Sequence, residues 1–311
     1  MSAVDPPAHR AGFACFVGRP NTGKSTLTNA LVGQKVAITS ARPQTTRHTI
    51  RGIVSRPDAQ LVLVDTPGFH RPRTLLGERL NDLVRATIAE VDVLGLCIPA
   101  DEKIGPGDRF IVGEMAKAAR RAPVFAIVTK TDVAGRDQIG EQLMAVARLG
   151  EQTGVEFAEI VPVSALAGDQ VDLLAQLLTA RLPVGPALYP DGDLTDSPEM
   201  IMVAELIREA ALEGVRDELP HSLAVVVDEM IPREGRGEHN PLLDIRAEVY
   251  VERDSQKGII IGKGGARLRE VGTAARKQIE ALLGTPVFLD LHVRVAKDWQ
   301  RDPKQLRKLG F

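Results

Sequence analysis

A chain of 311 residues with 44% hydrophobic and 26% charged residues has the composition of an ordinary globular protein, and at roughly 100–200 residues per domain its length predicts two domains. Aromatics at 4% leave the cores to Val, Leu, Ile and Ala, and no run approaches the roughly 18 apolar residues that a membrane span requires. The net charge of -2 does not by itself point to a nucleic-acid binder, yet from Tyr250 onward basic residues outnumber acidic ones about two to one.

The opening residues MSAVDPPAHR lack the basic-then-apolar layout of a secretion signal. The two cysteines, Cys15 and Cys97, each lie in an apolar run and are expected as buried, reduced thiols of a reducing cytosol. Residues 13–17, FACFV, read as a strand running into GRPNTGKST, and TLTNALVG follows as a helix. RHTIRGIVS and AQLVLVDT, separated by Pro57 and Asp58, read as a hairpin. The apolar runs VDVLGLCIPA, APVFAIVTK and AEIVPVSA alternate with helix-like stretches, which predicts a mainly parallel sheet with helices on both faces. Residues 183–198, PVGPALYPDGDLTDSP, have linker composition and divide a domain over 1–182 from one over 199–311. The second domain reads as a helix opening at Pro198, two strands, a helix into IIIGKGG, a further helix, a strand, and a closing helix capped by Asp302 and Pro303 with Gly310 near its end.

Gly18-Arg19-Pro20-Asn21-Thr22-Gly23-Lys24-Ser25-Thr26 contains GxxxxGK[ST] between a strand and a helix. In that context the loop's N–H groups cradle phosphates, Lys24 supplies charge to the β- and γ-phosphates, and the Ser25 hydroxyl binds Mg²⁺ at the positive end of the helix. Asp65-Thr66-Pro67-Gly68 ends a second strand, where Asp65 can hold Mg²⁺ from the other side and Gly68 lets its N–H approach the γ-phosphate. Between the two motifs lies TSARPQTTRHT, in which Thr46, with Thr45 as the alternative, is expected to ligate Mg²⁺ when the γ-phosphate orders the loop. Lys24, Thr46 and Gly68 are therefore the catalytic candidates.

Thr129-Lys130-Thr131-Asp132 follows a further strand. Asp132 can accept both N1–H and the 2-amino group of guanine, a donor pair that adenine lacks, while the Lys130 stem lies along the base. Ser164-Ala165-Leu166 closes a later strand and offers the Ala165 N–H to the guanine O6. The set resembles the five nucleotide motifs of the translation-factor-related GTPases, which usually have asparagine where this chain has Thr129. The lost amide predicts binding weaker by about 0.5–1.5 kcal/mol. Ras-like enzymes place a water-orienting glutamine where this chain has the apolar Phe69, so intrinsic turnover is expected to be slow, on the order of 10⁻⁴–10⁻² s⁻¹. The resemblance to GTPases with a hydrophobic residue there makes Asn21 a candidate potassium ligand; a plain turn residue is the alternative.

Gly262-Lys263-Gly264-Gly265 fits the GxxG loop of KH domains, which clamps about four nucleotides of single strand. Lys257 and Lys263 flank the loop, and Arg267 and Arg269 follow on the next helix as RNA-binding candidates, with Arg276 and Lys277 beyond.

With GRPNTGKST, PQTTRHT, DTPGF, the GKGG loop and the stretch from Val293 to Trp299 in view, the chain from about Gly12 to Phe311 resembles the Era family of bacterial GTPases. The resemblance implies an α/β P-loop GTPase domain followed by an α+β KH domain of type II. It implies GTP/GDP and Mg²⁺ as ligands, with K⁺ as a further candidate. It implies binding to small-subunit (16S) ribosomal RNA near its 3′ end, a role in assembly of the small ribosomal subunit, a monomer, and a cytoplasmic location with peripheral contact at the inner membrane face. The alternative is a GTPase that regulates growth or division through protein or membrane partners.

Overall fold

The structure, a computed structural model, describes residues 8–39, 46–69, 72–119, 121–213, 215, 222–236 and 240–311. The chain divides into two compact units. The first draws its described residues from Met1–Ala37, Thr46–Arg71 and Leu80–Asp196, and the second from Ile38–Thr45, Pro72–Arg79 and Ser197–Phe311.

In the first unit, β1 (Arg10–Val17), β2 (Ile50–Arg56), β3 (Ala59–Asp65), β4 (Val93–Pro99), β5 (Val124–Thr129) and β6 (Phe157–Pro162) form one sheet in the order β2-β3-β1-β4-β5-β6. Only the β2–β3 pair is antiparallel, turned by Pro57 and Asp58 as expected; every other pairing is parallel. Parallel strands are buried on both faces, so β3, β4 and β5, which contain no exposed residue, are unbroken apolar runs rather than alternating ones. Helix α1 (Lys24–Val32) and α5 (Val171–Thr179) put Leu27, Leu31, Leu174 and Leu178 on one face of the sheet. The later turns of α2 (Leu75–Glu90), with α3 (Pro106–Ala118) and α4 (Arg136–Thr153), put Val84, Ile111, Met115 and Val146 on the other. Both phosphate-binding motifs leave the carboxyl ends of neighbouring strands, where such sheets bind ligands. The Pro-rich stretch after α5 is pinned to this unit: Gln60 Oε1 accepts from the N–H groups of Leu188 and Tyr189, and Thr195 pairs with Gly52.

In the second unit, β7 (Ala224–Pro232), β8 (Leu243–Val251) and β9 (Val287–Val295) form a sheet with β7 antiparallel and β9 parallel to β8. Helix α6 (Glu199–Leu212) and helix α8 (Ala266–Leu283) cover one face, packing Val203, Ile207, Val271 and Ile279 against Val225, Ile245 and Val249. Helix α7 (Asp254–Ile261) leads into the glycine loop, and α9 (Pro303–Lys308) closes the chain. Asp302 caps α9 by accepting from Lys304 and Gln305, as the sequence predicts, while Pro198 sits one residue before α6 as its N-cap. This α+β arrangement, with a parallel final strand, is the type II KH order. Among the described residues, no helix is long and apolar enough to cross a membrane.

Candidate nucleotide and RNA sites

The phosphate loop closes on its own lysine. Lys24 is buried, and its Nζ donates to the carbonyls of Arg19 at 2.8 Å and Gly18 at 3.3 Å. Burial pushes the ammonium below its ordinary pKa, and the nearby Cys97 and Asp65 oppose that shift. The three oxygen ligands expected for Mg²⁺ converge: Ser25 Oγ donates to Asp65 Oδ2 at 2.8 Å, Thr46 Oγ1 donates to the same oxygen at 3.1 Å, and the two hydroxyls are 3.0 Å apart. Two hydroxyls and one carboxylate are a hard oxygen set that fits Mg²⁺. Thr45 lies outside the described residues.

The DTPG segment is held from both sides. Thr66 Oγ1 donates to Phe16 O at 3.0 Å, and Phe69 N–H donates to Gly18 O at 3.2 Å. A Cβ on Gly68 would come within 2.9 Å of Pro20 N and 3.0 Å of Pro20 Cα. The glycine is therefore required by close approach of the P-loop, in addition to the γ-phosphate access expected of it. Phe69 is buried, edge-on to Phe110, with Arg85 over its ring, so its side chain is committed to the core. Asn21 has φ 64, the left-handed conformation of a turn residue.

At the expected base site lies a cavity of about 130 Å³ lined by residues that include Gly23, Thr26, Thr129, Lys130, Asp132 and Ala165. Lys130 also takes a left-handed conformation, φ 60, as the chain turns out of β5. Asp132 is oriented by Ser164, whose Oγ donates to Asp132 Oδ1 at 2.6 Å and accepts from Ala167 N. Thr129 Oγ1 donates to Thr22 O at 2.7 Å. The threonine hydroxyl thus ties the end of β5 to the P-loop although the amide of asparagine is missing.

In the second unit, Gly262, Gly264 and Gly265 have φ 72, 59 and 78, conformations that side chains resist. A Cβ on Gly262 would lie 2.7 Å from Arg267 Cβ. Lys263, Gly264 and Arg269 are exposed, and Lys257 is half-buried. Arg267 is engaged inside the unit: its guanidinium donates to Glu213 O and pairs with Glu270 at 3.4 Å. Arg267 therefore braces the loop, leaving Lys257, Lys263 and Arg269 as the outward cations of the set.

A family model described as a 50S ribosome-binding GTPase matches residues 13–130, and a KH-domain model matches residues 218–300. The chain is 74% identical over 303 residues to GTPase Era of Streptomyces coelicolor, covering 97% of this chain and 95% of that protein. It is likewise 74% identical over 305 residues to GTPase Era of a Nocardioides species, covering 98% of this chain and 97% of the relative. The chain belongs to the Era family of GTPases. A crystal structure of Era in complex with MgGDPNP and nucleotides 1506–1542 of 16S ribosomal RNA superposes on this Era-family chain with a TM-score of 0.90 at 37% identity, covering 97% of this chain and 99% of that one. An Aquifex aeolicus Era variant bound to GDP and AlF4⁻ gives a TM-score of 0.89, also at 37% identity, with 97% and 99% covered.

Three residues of this Era-family chain that belong to no motif, Glu102, Asp108 and Gln142, brace the candidate nucleotide site. Arg19 Nε pairs with Asp108 Oδ1 at 2.8 Å, and a second guanidinium nitrogen pairs with Glu102 Oε2 at 2.8 Å. Asp108, buried at the start of α3, also accepts from Gly105 N. Gln142 of α4 donates to the carbonyls of Pro99 and Glu102, fixing the loop that bears Glu102. The sequence signal for Glu102 was a run of polar residues after an apolar strand, while Asp108 and Gln142 sit on helices and carried none.

Proposed function

We propose that this GTPase binds RNA through its GKGG loop, with the 3′ end of small-subunit (16S) ribosomal RNA as target and assembly of the small ribosomal subunit as its role. The observation that carries this reading is the convergence of Ser25, Thr46 and Asp65 on one oxygen-lined point beside a base pocket ending in Asp132, in a chain that also holds a KH loop. The Era structure with MgGDPNP and 16S ribosomal RNA supports it at 37% identity.

In this reading, residues 1–182 supply the bulk of the GTPase domain, 183–198 the connection and 199–311 the bulk of the RNA-binding domain, which also draws on Ile38–Thr45 and Pro72–Arg79. Ser25, Thr46 and Asp65 hold Mg²⁺, which when bound offsets charge on the β- and γ-phosphate oxygens. Lys24 and the N–H groups of the P-loop hold the phosphates, and Asp132, Lys130 and Ala165 hold guanine. Thr46 and Gly68 sense the γ-phosphate, and hydrolysis resets the affinity for RNA. Asn21 would ligate potassium, so turnover should be faster in potassium than in sodium; equal rates would remove that role. The protein acts as a monomer in the cytoplasm, with a peripheral contact at the inner membrane face.

Crosslinking the protein to RNA in its native cells, with Gly262→Asp as control, tests the reading. Enrichment at the 3′ end of small-subunit ribosomal RNA that disappears in the variant is the expected result. Scattered crosslinks would assign the second domain to another partner.

A further inference from the structure

The phosphate loop and the base loop come from different strands, and a guanine nucleotide stays bound only while both keep their spacing. Thr129 supplies one strap between them. A second runs through charge. Arg19 of the P-loop lays its stem against Gly107, where an added Cβ would come within 2.9 Å of Arg19 Cδ, and its guanidinium meets Glu102 Oε2 at 2.8 Å. The other oxygen of the same carboxylate, Oε1, lies 4.0 Å from Lys130 Nζ in the base loop.

We propose that Glu102 is a positioning residue for nucleotide retention, a single carboxylate that spans Arg19 of the phosphate loop and Lys130 of the base loop. Its own position is fixed from outside the site. Gln142 holds the Pro99 and Glu102 carbonyls at 2.9 and 2.8 Å, and Asp108 anchors the far side of the Arg19 guanidinium. Glu102 acts through its two partners, keeping the Lys130 stem over the base and the P-loop main chain beneath the phosphates. The strap is partly exposed, with 42% of the Glu102 side chain open to solvent, so its strength is set by ionic screening. That distinguishes it from the buried Thr129 strap. The inference rests on the guanine-nucleotide reading of the site.

The test is release of a fluorescent GDP from wild type, Glu102→Gln and Glu102→Asp at low and high salt. At low salt Glu102→Gln should release GDP roughly two- to fivefold faster, the range open to a partly exposed ion pair. Glu102→Asp, with a shorter reach, should fall between. At about 1 M salt, where the screening length is about 3 Å, the rates should converge. A role confined to packing of the loop would leave a gap that salt does not close. Melting temperatures should match, because Gln142 holds the loop through main-chain carbonyls. Equal release rates at low salt, or a gap unchanged at high salt, overturn the inference. A wild type that binds no GDP overturns the guanine reading itself, which separates the two failures. A second arm combines Glu102→Gln with Lys130→Met: the effect of the first substitution should shrink in the second background, and strict additivity would overturn the bridge.

Discussion

The hydroxyl of Thr129 donates a 2.7 Å hydrogen bond to the main-chain carbonyl of Thr22, joining the end of β5 to the P-loop. Thr129→Ala removes the donor and should weaken GDP binding by about 0.5–1.5 kcal/mol, roughly two- to tenfold. Thr129→Ser keeps a hydroxyl and should stay close to wild type. Titration calorimetry on the three proteins checks this, and an unchanged alanine variant would mean that the bond carries no binding energy.

Ser164 holds Asp132 through a 2.6 Å hydrogen bond, so one carboxylate oxygen is fixed and the group is aimed at the base pocket. Asp132→Asn exchanges an acceptor for a donor at the purine C2 position. Affinity for GTP should fall by about 1.5–3 kcal/mol, since a charged hydrogen bond is lost. Xanthosine triphosphate, with an oxygen at that position, should become the preferred ligand. Competition binding with both nucleotides decides, and retained guanine preference would show that another group reads the base.

Cys97 lies beneath the P-loop: a Cβ on Gly18 would sit 2.7 Å from its carbonyl. Burial pushes its thiol from the ordinary 9.0 up to about 12, with the Lys24 charge pulling it down and the Asp65 charge pushing it up. Burial also raises Cys15. A thiol whose pKa rises on folding contributes stability that is whole below pH 9 and is lost as the pH climbs toward about 12. Denaturation midpoints should therefore decline across that alkaline range, and less steeply in Cys97→Ala. At about pH 8 iodoacetamide should modify neither cysteine until the protein is unfolded; rapid labelling of the native state would contradict the burial.

The candidate nucleotide site was legible because its chemistry dictates residue types at short spacing. Gly18 to Ser25, Asp65 to Gly68, Thr129 to Asp132 and Ser164 to Leu166 each follow a strand, and the parallel sheet brings those strand ends together. The Arg19–Glu102 pair was not legible, because its partners are 83 residues apart and meet only through the fold. Composition reads 183–198 as a linker, yet one buried side chain, Gln60, fastens Leu188 and Tyr189 to β3. A single polar residue within a strand leaves no periodic trace. The outward cations of the KH helix were legible as charge, but the inward turn of Arg267 depends on the Glu213 carbonyl, and sequence carries no sign of that contact.

The second unit is woven from more than the C-terminal third of the chain. Ile38 belongs to its hydrophobic core, Thr39 N–H donates to the buried Glu209, Leu76 N–H donates to Gln300 O, and Arg79 reaches Phe311 O. Scissors applied at residue 197 would therefore not yield two finished pieces. The front fragment would carry Ile38 and Leu76 without their covers, and the back fragment would lack residues that close its own interior. Gene-level modularity and folding modularity part company here, so an isolated KH piece must borrow those two stretches to be a fair copy of the original.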